Sequence, residues 1–260
     1  MAEEPVLLQA RDGNVVTLTL NRPQARNALS RALAEALRTA AEALAADHTV
    51  RAVLVRGAPP AFCAGADLRE RLDLPPDALT AHTQAVRAAV EAVAQLPMPT
   101  IAVIAGPCLA GGLELALACD VRFASTTATF GLPEVRRGIF PAAGGILRLP
   151  AVVGPSRAAD LILSGRIIDA EEAFRIGLID RLCPPEALED TVAAYLAELA
   201  QTAPLAVRAA KAALAAARPA LSPEALATID QLRAALDATE DYQEGLRAFR
   251  ERRPPRFTGR

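Results

Sequence analysis

The chain has 260 residues, 52% of them hydrophobic, with a formal net charge of -2 and a pI near 5.8. That length and apolar content suit one large domain, or a domain with an appendage, around a sizeable core, and they exclude a disordered chain. The slightly acidic balance leaves no general basic footprint for nucleic acid, since cationic residues concentrate only between positions 247 and 260. The four cysteines (Cys63, Cys108, Cys119, Cys183) form no CxxC pair, which fits reduced thiols and a cytoplasmic location. The two histidines, His48 and His82, are far apart and make no HExxH, so no metal is expected. Residues 1–10 (MAEEPVLLQA) lack a basic stretch followed by an apolar one, so neither a secretory nor a transit peptide is expected.

Taken in chain order, VVTLTL at 15–20 alternates as a strand does, a helix with Leu33, Leu37 and Leu44 on one stripe follows at 30–46, and RAVLVR at 51–56 reads as a second strand. Positions 77–96 carry Val86, Ala89, Val90 and Val93 at helical spacing, and strands are expected at 100–105 and 121–124. Strands separated by helices imply an α/β architecture with parallel pairing and right-handed crossovers. Beyond Pro150 the pattern is helical at 156–163, 169–176 and 185–200, with one short strand near 178–182. Asp169 followed by Glu172 has capping-box spacing. The end of the chain reads as helices at 204–217, 222–238 and 241–252, with Ser222-Pro223 as a start signal. We therefore divide the chain into an α/β core, 1–200, and a helical region, 201–260, expected to pack on the core or on a second subunit.

Three segments carry candidate chemistry. Glu114 is the single carboxylate in the apolar run IAVIAGPCLAGGLELALAC (101–119). Burial raises a carboxylate's pKa toward neutrality, where an acid/base catalyst works, although a structural carboxylate paired with an arginine would look the same. Pro107, the glycines and Glu114 argue against reading this run as a membrane span. Gly111 and Gly112 open the backbone where a helix begins, so free amides would stand beside that carboxylate. The small residues of AFCAGADL (61–68) could bring a second amide to face Gly111, although the same loop could be an ordinary strand-to-helix turn. Glu134, after Pro133, suits the first turn of a helix, where simple capping would explain it, and Ala143-Gly144-Gly145 offers another close backbone approach. Residues 106–112 superficially resemble a phosphate loop but lack its Lys and Ser/Thr, and there is no GxGxxG or GxSxG, which sets aside ATP, NAD and serine-hydrolase chemistry.

In this order NRPQARNAL (21–29), AFCAGADL, IAVIAGPCLAGGLELALACD, FGLPEVRRGIFPAAGGILRLP (130–150), SGRIIDAEEAFRIGLID (164–180) and YQEGLRAFRERRPPRFTGR (242–260) resemble the crotonase superfamily, the enoyl-CoA hydratase/isomerase family. The resemblance implies a spiral of ββα units with a C-terminal helical region, assembled as a homotrimer or a dimer of trimers. It implies an acyl-CoA thioester substrate whose carbonyl lies between the amides of Ala64 and Gly111, with Glu114 and Glu134 as the catalytic pair, and no cofactor beyond the coenzyme A carried by the substrate. It further implies substrate or coenzyme A contacts at Arg26, Ala66, Asp67 and Leu68. Arg26 is the candidate because Gln24 stands where the family often has Lys. The three-glycine run of the family is Ala110-Gly111-Gly112 here.

Two carboxylates imply enoyl-CoA hydration, with a role in β-oxidation and fatty acid metabolism. A Δ3-Δ2-enoyl-CoA isomerase would use the Glu134 position alone, and ILRLP also resembles carnitinyl-CoA dehydratases. A non-enzymatic coenzyme A- or RNA-binding relative would rest on the basic tail. No nucleic-acid or membrane partner is expected. The acyl pocket is expected to draw on residues 69–79 and the C-terminal helices.

Overall fold

A computed structural model describes residues 4–72, 74–217 and 223–260. Strands β1 (Leu7–Asp12) and β2 (Val15–Leu20) form an antiparallel hairpin across Gly13, and α1 (Arg31–Ala46) follows, capped by the Ser30 hydroxyl, which accepts the Leu33 amide at 3.1 Å. Next come β3 (Ala52–Gly57), the single-turn α2 (Leu68–Arg71), α3 (Pro76–Ala94), β4 (Thr100–Ile104), β5 (Pro107–Leu109) and α4 (Gly111–Ala118). Then follow β6 (Val121–Ser125), β7 (Thr129–Gly131), a 3-10 turn (Pro133–Arg137), α5 (Gly145–Val153), α6 (Pro155–Ser164), β8 (Ile168–Asp169), α7 (Ala170–Arg175) and β9 (Arg181–Cys183). The chain ends with α8 (Leu188–Ala200), α9 (Pro204–Ala217), α10 (Pro223–Asp237) and α11 (Glu240–Glu251).

One sheet has the order β1-β2-β3-β4-β6-β9, parallel from β2 onward, and a smaller one has the order β5-β7-β8. Each turn of the chain thus supplies a long strand, a short strand and a helix: β4-β5-α4, then β6-β7 and the 3-10 turn leading to α5. The β3 turn joins the same pattern through the bridge Cys63–Cys108. This is the ββα spiral.

Alternation along the strands decides what each sheet face holds. Val53 and Val55 point into the main core with Leu33, Leu37, Val90 and Val93, while Ala52 and Leu54 face the other way, toward Phe123 and α8. Both faces are covered, as parallel strands require. Each such aliphatic side chain contributes roughly 1.5–3 kcal/mol by leaving water. Helix α4 is buried at every position, which fixes the depth of Glu114.

Several elements depart from the sequence pattern. Strand β1 (LLQARD) is an exposed edge strand without an apolar face, and β5, β7 and β8 are too short to show a period. Helix α5 opens on Gly144-Gly145 and contains Pro150, residues that read as a loop. The strand expected near 178–182 lies later, at Arg181–Cys183. Asp169 caps α7, accepting the Glu172 amide at 2.8 Å. The start signal at Ser222 lies outside the described residues. Helix α10 packs on α3, and α11 on α2 and the 3-10 turn. Lys211 of α9 reaches Asp120 at 2.6 Å and the Met98 carbonyl at 2.9 Å, while Leu205 and Leu214 stay exposed. No helix among the described residues is long and apolar enough to cross a membrane.

Candidate active site

Two loops are pressed together by residues with little or no side chain. A β-carbon at Gly65 (φ +97°) would stand 2.6 Å from Ala110 Cβ and 3.2 Å from the Gly111 nitrogen, and one at Gly112 would strike Cys63. Neither position can carry a side chain without separating the loops. The contact brings the Ala66 nitrogen to 3.5 Å from the point where a Gly111 β-carbon would sit. Gly111 is the first residue of α4, so its N–H has no partner within the helix. Ala66 pairs with Leu29 through its neighbours, because Gly65 O accepts the Leu29 amide and Leu29 O accepts the Asp67 amide; the Ala66 N–H has no backbone partner among the described residues.

This geometry corrects the pairing expected from the sequence. The Ala64 N–H donates to the Arg26 carbonyl at 3.0 Å and is committed to holding the 21–29 loop. Ala66, two positions on, supplies the amide that faces Gly111. In a parallel bridge alternate amides point to opposite sides, which a loop of small residues does not reveal in sequence.

Glu114 is 3% exposed, and its Oε1 accepts the amides of Ala143 (2.7 Å) and Gly145 (2.8 Å). Burial raises its pKa, while the two backbone donors and the more distant charges of Arg148 and Arg87 oppose the rise. It has no salt bridge among the described residues, because Arg148 pairs with Glu91 at 2.6 Å and Arg87 with Asp230. Glu134 sits in the 3-10 turn with Oε2 buried and without a hydrogen-bond partner among the described residues. Burial first, and the charge of Glu114 second, push its pKa well above the ordinary carboxylate range. Burial and the charge of Glu114 outweigh the backbone contact and the Arg233 charge that favour ionised Glu134, whereas two amides favour the carboxylate form of Glu114, so Glu134 is the more strongly raised of the pair.

Both carboxylates line one cavity of about 440 Å3, together with Ala66, Gly111 and Ala64, whose amide is nonetheless spent on Arg26. Leu68, Val86, Ile139 and Phe140 give it apolar walls, and Arg71 from α2, Arg233 from α10 and Phe249 from α11 close it as the sequence led us to expect of those segments. A separate open depression of about 580 Å3 lies against the C-terminal tail. Its Glu244 is already held by Arg253 and the Arg256 amide, and its Asp241 by the Thr258 and Gly259 amides, so these two carboxylates serve to fasten the tail.

The remaining candidates divide. Leu68 lines the cavity, whereas Asp67 does not: it is 5% exposed, pairs with Arg22 at 2.8 Å and caps α2 through the Arg69 amide. Asp67 therefore supports the loop rather than touching substrate. Arg26 is exposed, in the left-handed region (φ +50°), outside the cavity wall. Asn27, given no role by the sequence, is fully buried; it donates to the carbonyls of Ala58 and Ala61, each at 2.7 Å, and accepts the Arg22 amide at 2.9 Å. Its side chain ties 21–29 to the loop that carries Ala66. Arg71 fell within the 69–79 stretch expected at the pocket but was not singled out, because that stretch is charged and proline-rich.

Spiral fold, facing amides and paired buried carboxylates define a crotonase-type site. Residues 10–260 match the family model described as enoyl-CoA hydratase/isomerase, and the chain belongs to that family. It is similar to a probable enoyl-CoA hydratase of Mycobacterium tuberculosis, 42% identical with both chains covered in full. It is also similar to the mitochondrial methylglutaconyl-CoA hydratase of Homo sapiens, 39% identical over 97% of this chain and 76% of that protein. Among solved structures, an enoyl-CoA hydratase from Mycobacterium avium subsp. paratuberculosis superposes with a TM-score of 0.88 at 31% identity, covering 97% of this chain and 98% of that one. One from Bacillus anthracis gives 0.80 at 37% identity, covering 98% and 100%.

Proposed function

We propose that the protein is an enoyl-CoA hydratase that adds water reversibly to a trans-2-enoyl-CoA. The observation that carries this reading is that Glu114 is held by two backbone amides rather than by an arginine, in the cavity that Glu134 also lines. An isomerase working through Glu134 alone would have no use for a buried second acid. The names of relatives as hydratases agree with it.

The thioester oxygen accepts the Ala66 and Gly111 amides, which makes the β-carbon electrophilic. Each such donor is worth roughly 100- to 1000-fold in rate. Water lies between the acids; Glu114, as carboxylate, takes its proton while the oxygen bonds to the β-carbon. The C=C electrons pass to the α-carbon and enolate, and Glu134 delivers its proton to the α-carbon. The water's two hydrogens and the acids' single proton balance, because the proton gained by Glu114 replaces the one lost by Glu134. The scheme requires no resident cofactor. We assign Arg26, exposed beside the loop, to coenzyme A contact, and a homotrimer or dimer of trimers to the assembled state.

The test is loss of the conjugated thioester absorbance of crotonyl-CoA. Glu114→Gln and Glu134→Gln should each lower turnover by roughly 100- to 10,000-fold. Full activity in both, or in Glu114→Gln alone with isomerisation of a 3-enoyl-CoA, overturns the reading.

A further inference from the structure

Resting on the hydratase reading, we propose that the acyl group this enzyme takes ends in a carboxylate, received by the buried guanidinium of Arg71 with Arg233 beside it. Arg71 is 3% exposed and Arg233 4% exposed, and both belong to the wall of the cavity that holds the two glutamates. Arg71 Nε donates to Tyr242 Oη at 2.8 Å and Nη1 to Thr83 Oγ1 at 3.3 Å, while its buried Nη2 has no hydrogen-bond partner among the described residues. Asp237 Oδ1 lies 3.7 Å from that Nη2 and is already bonded to Arg233 Nη1 at 2.5 Å. Both guanidinium carbons stand over the Tyr242 ring, at 5.7 and 5.6 Å from its centre.

The charges do not balance. Two arginines, which stay protonated in proteins, share one buried aspartate. The other titratable groups nearby do not correct this. His82 has its pKa lowered by burial and by Arg71 itself; Glu70 is partly exposed and accepts the Arg31 amide; Asp67 is taken by Arg22; Glu134 feels the Arg233 charge, but burial and Glu114 hold its pKa well above the carboxylate range. A cluster that only tied α10 to α11 would be complete with Arg233, Asp237 and Tyr242; Arg71 joins α2 to it through Tyr242 and brings a second cation. The extra cation and its free Nη2 are costly to bury unless an anion joins them. The substrate supplies one: Arg71 lines the same cavity as Ala66 and Gly111, so we assign its guanidinium to the distal acyl chain of a thioester fixed at those two amides. A terminal carboxylate would accept charge-assisted hydrogen bonds there.

Calorimetric binding of two unreactive esters, glutaryl-CoA and butyryl-CoA, tests this apart from catalysis. The expected result is that the protein binds glutaryl-CoA roughly 10- to 100-fold more tightly. Arg71→Met should abolish that preference while leaving butyryl-CoA affinity within about threefold, and Arg71→Lys should retain part of it. Equal affinity for the two esters in the unmodified protein overturns the proposal. So does an equal loss for both esters in Arg71→Met, which would make a coenzyme A phosphate the anion held. Hydration of crotonyl-CoA without a glutaryl preference leaves the hydratase reading standing and removes this one; a strong glutaryl preference without hydration of glutaconyl-CoA does the reverse. If Arg71→Met does not fold, Arg233→Gln read with the same esters decides, since loss of the preference is expected there too and its survival overturns the pairing.

Discussion

The Gly145 amide donates to Glu114 Oε1 at 2.8 Å, and a methyl group on Gly145 would stand 3.1 Å from that same oxygen. The residue that holds the carboxylate therefore also sets how far it can move. Gly145→Ala would crowd Pro141 and Leu132 as well, at 3.0 and 3.1 Å. We expect turnover to fall roughly 10- to 100-fold with KM little changed, because a sub-ångström displacement of a reacting group is costly. Steady-state kinetics on crotonyl-CoA check this; unchanged turnover would show that Oε1 position is unimportant.

A second prediction concerns pH and stability. The folded-state pKa of Glu134 is raised, so the folded protein holds a proton that the unfolded chain has lost above about pH 4.3. Relative stability is then greatest below that pH and declines as pH rises toward the folded value. Glu134→Gln, which needs no proton, should raise the melting temperature at pH 8 and leave it little changed at pH 4. Thermal unfolding at the two values decides; stabilisation at acid pH only would reverse the sign and refute the burial argument.

Ala110 holds φ +51° and ψ -129°, a region that favours glycine. Such strain costs on the order of 1–3 kcal/mol, partly offset in Ala110→Gly by the added freedom of the unfolded chain. The substitution should stabilise the protein by about 1 kcal/mol in urea unfolding, with activity preserved. A loss of stability would mean that the alanine methyl contributes more to packing against Gly65 than its backbone loses.

Asn27→Ala removes three hydrogen bonds and leaves the buried Ala61 carbonyl and the half-buried Ala58 carbonyl without their donor. We expect a loss of about 2–4 kcal/mol in stability together with weaker thioester polarisation, since the Ala66 loop is released. Asn27→Asp keeps the acceptor but not the donors and should fare no better. Denaturant melts with parallel kinetics separate the two effects.

The long elements were legible because their periods are long. Helices α1 and α3 and strand β2 each repeat one burial pattern, as at Leu33, Leu37 and Leu44, while β3 and β4 stand out as aliphatic runs buried on both faces. Glu114 was legible because a lone acid interrupts an apolar run. What escaped depends on direction rather than type. Ala64 and Ala66 are identical side chains two positions apart, and only the bridge to Leu29 fixes which amide is spent. Arg71 sits in a charged tetrad, and its burial arises from α10 and α11, more than 150 positions later, packing over it through Asp237 and Tyr242.

Helix α11 lies against the turn that carries Glu134: the Arg137 Cα is 3.0 Å from where a Gly245 β-carbon would sit, and the Tyr242 amide nitrogen 2.8 Å from one on Gly138. The acid's seat is thus completed by a helix about a hundred positions further along the chain, so a substitution that loosens α11 would disturb the proton donor while the amides of Ala143 and Gly145 still held Glu114.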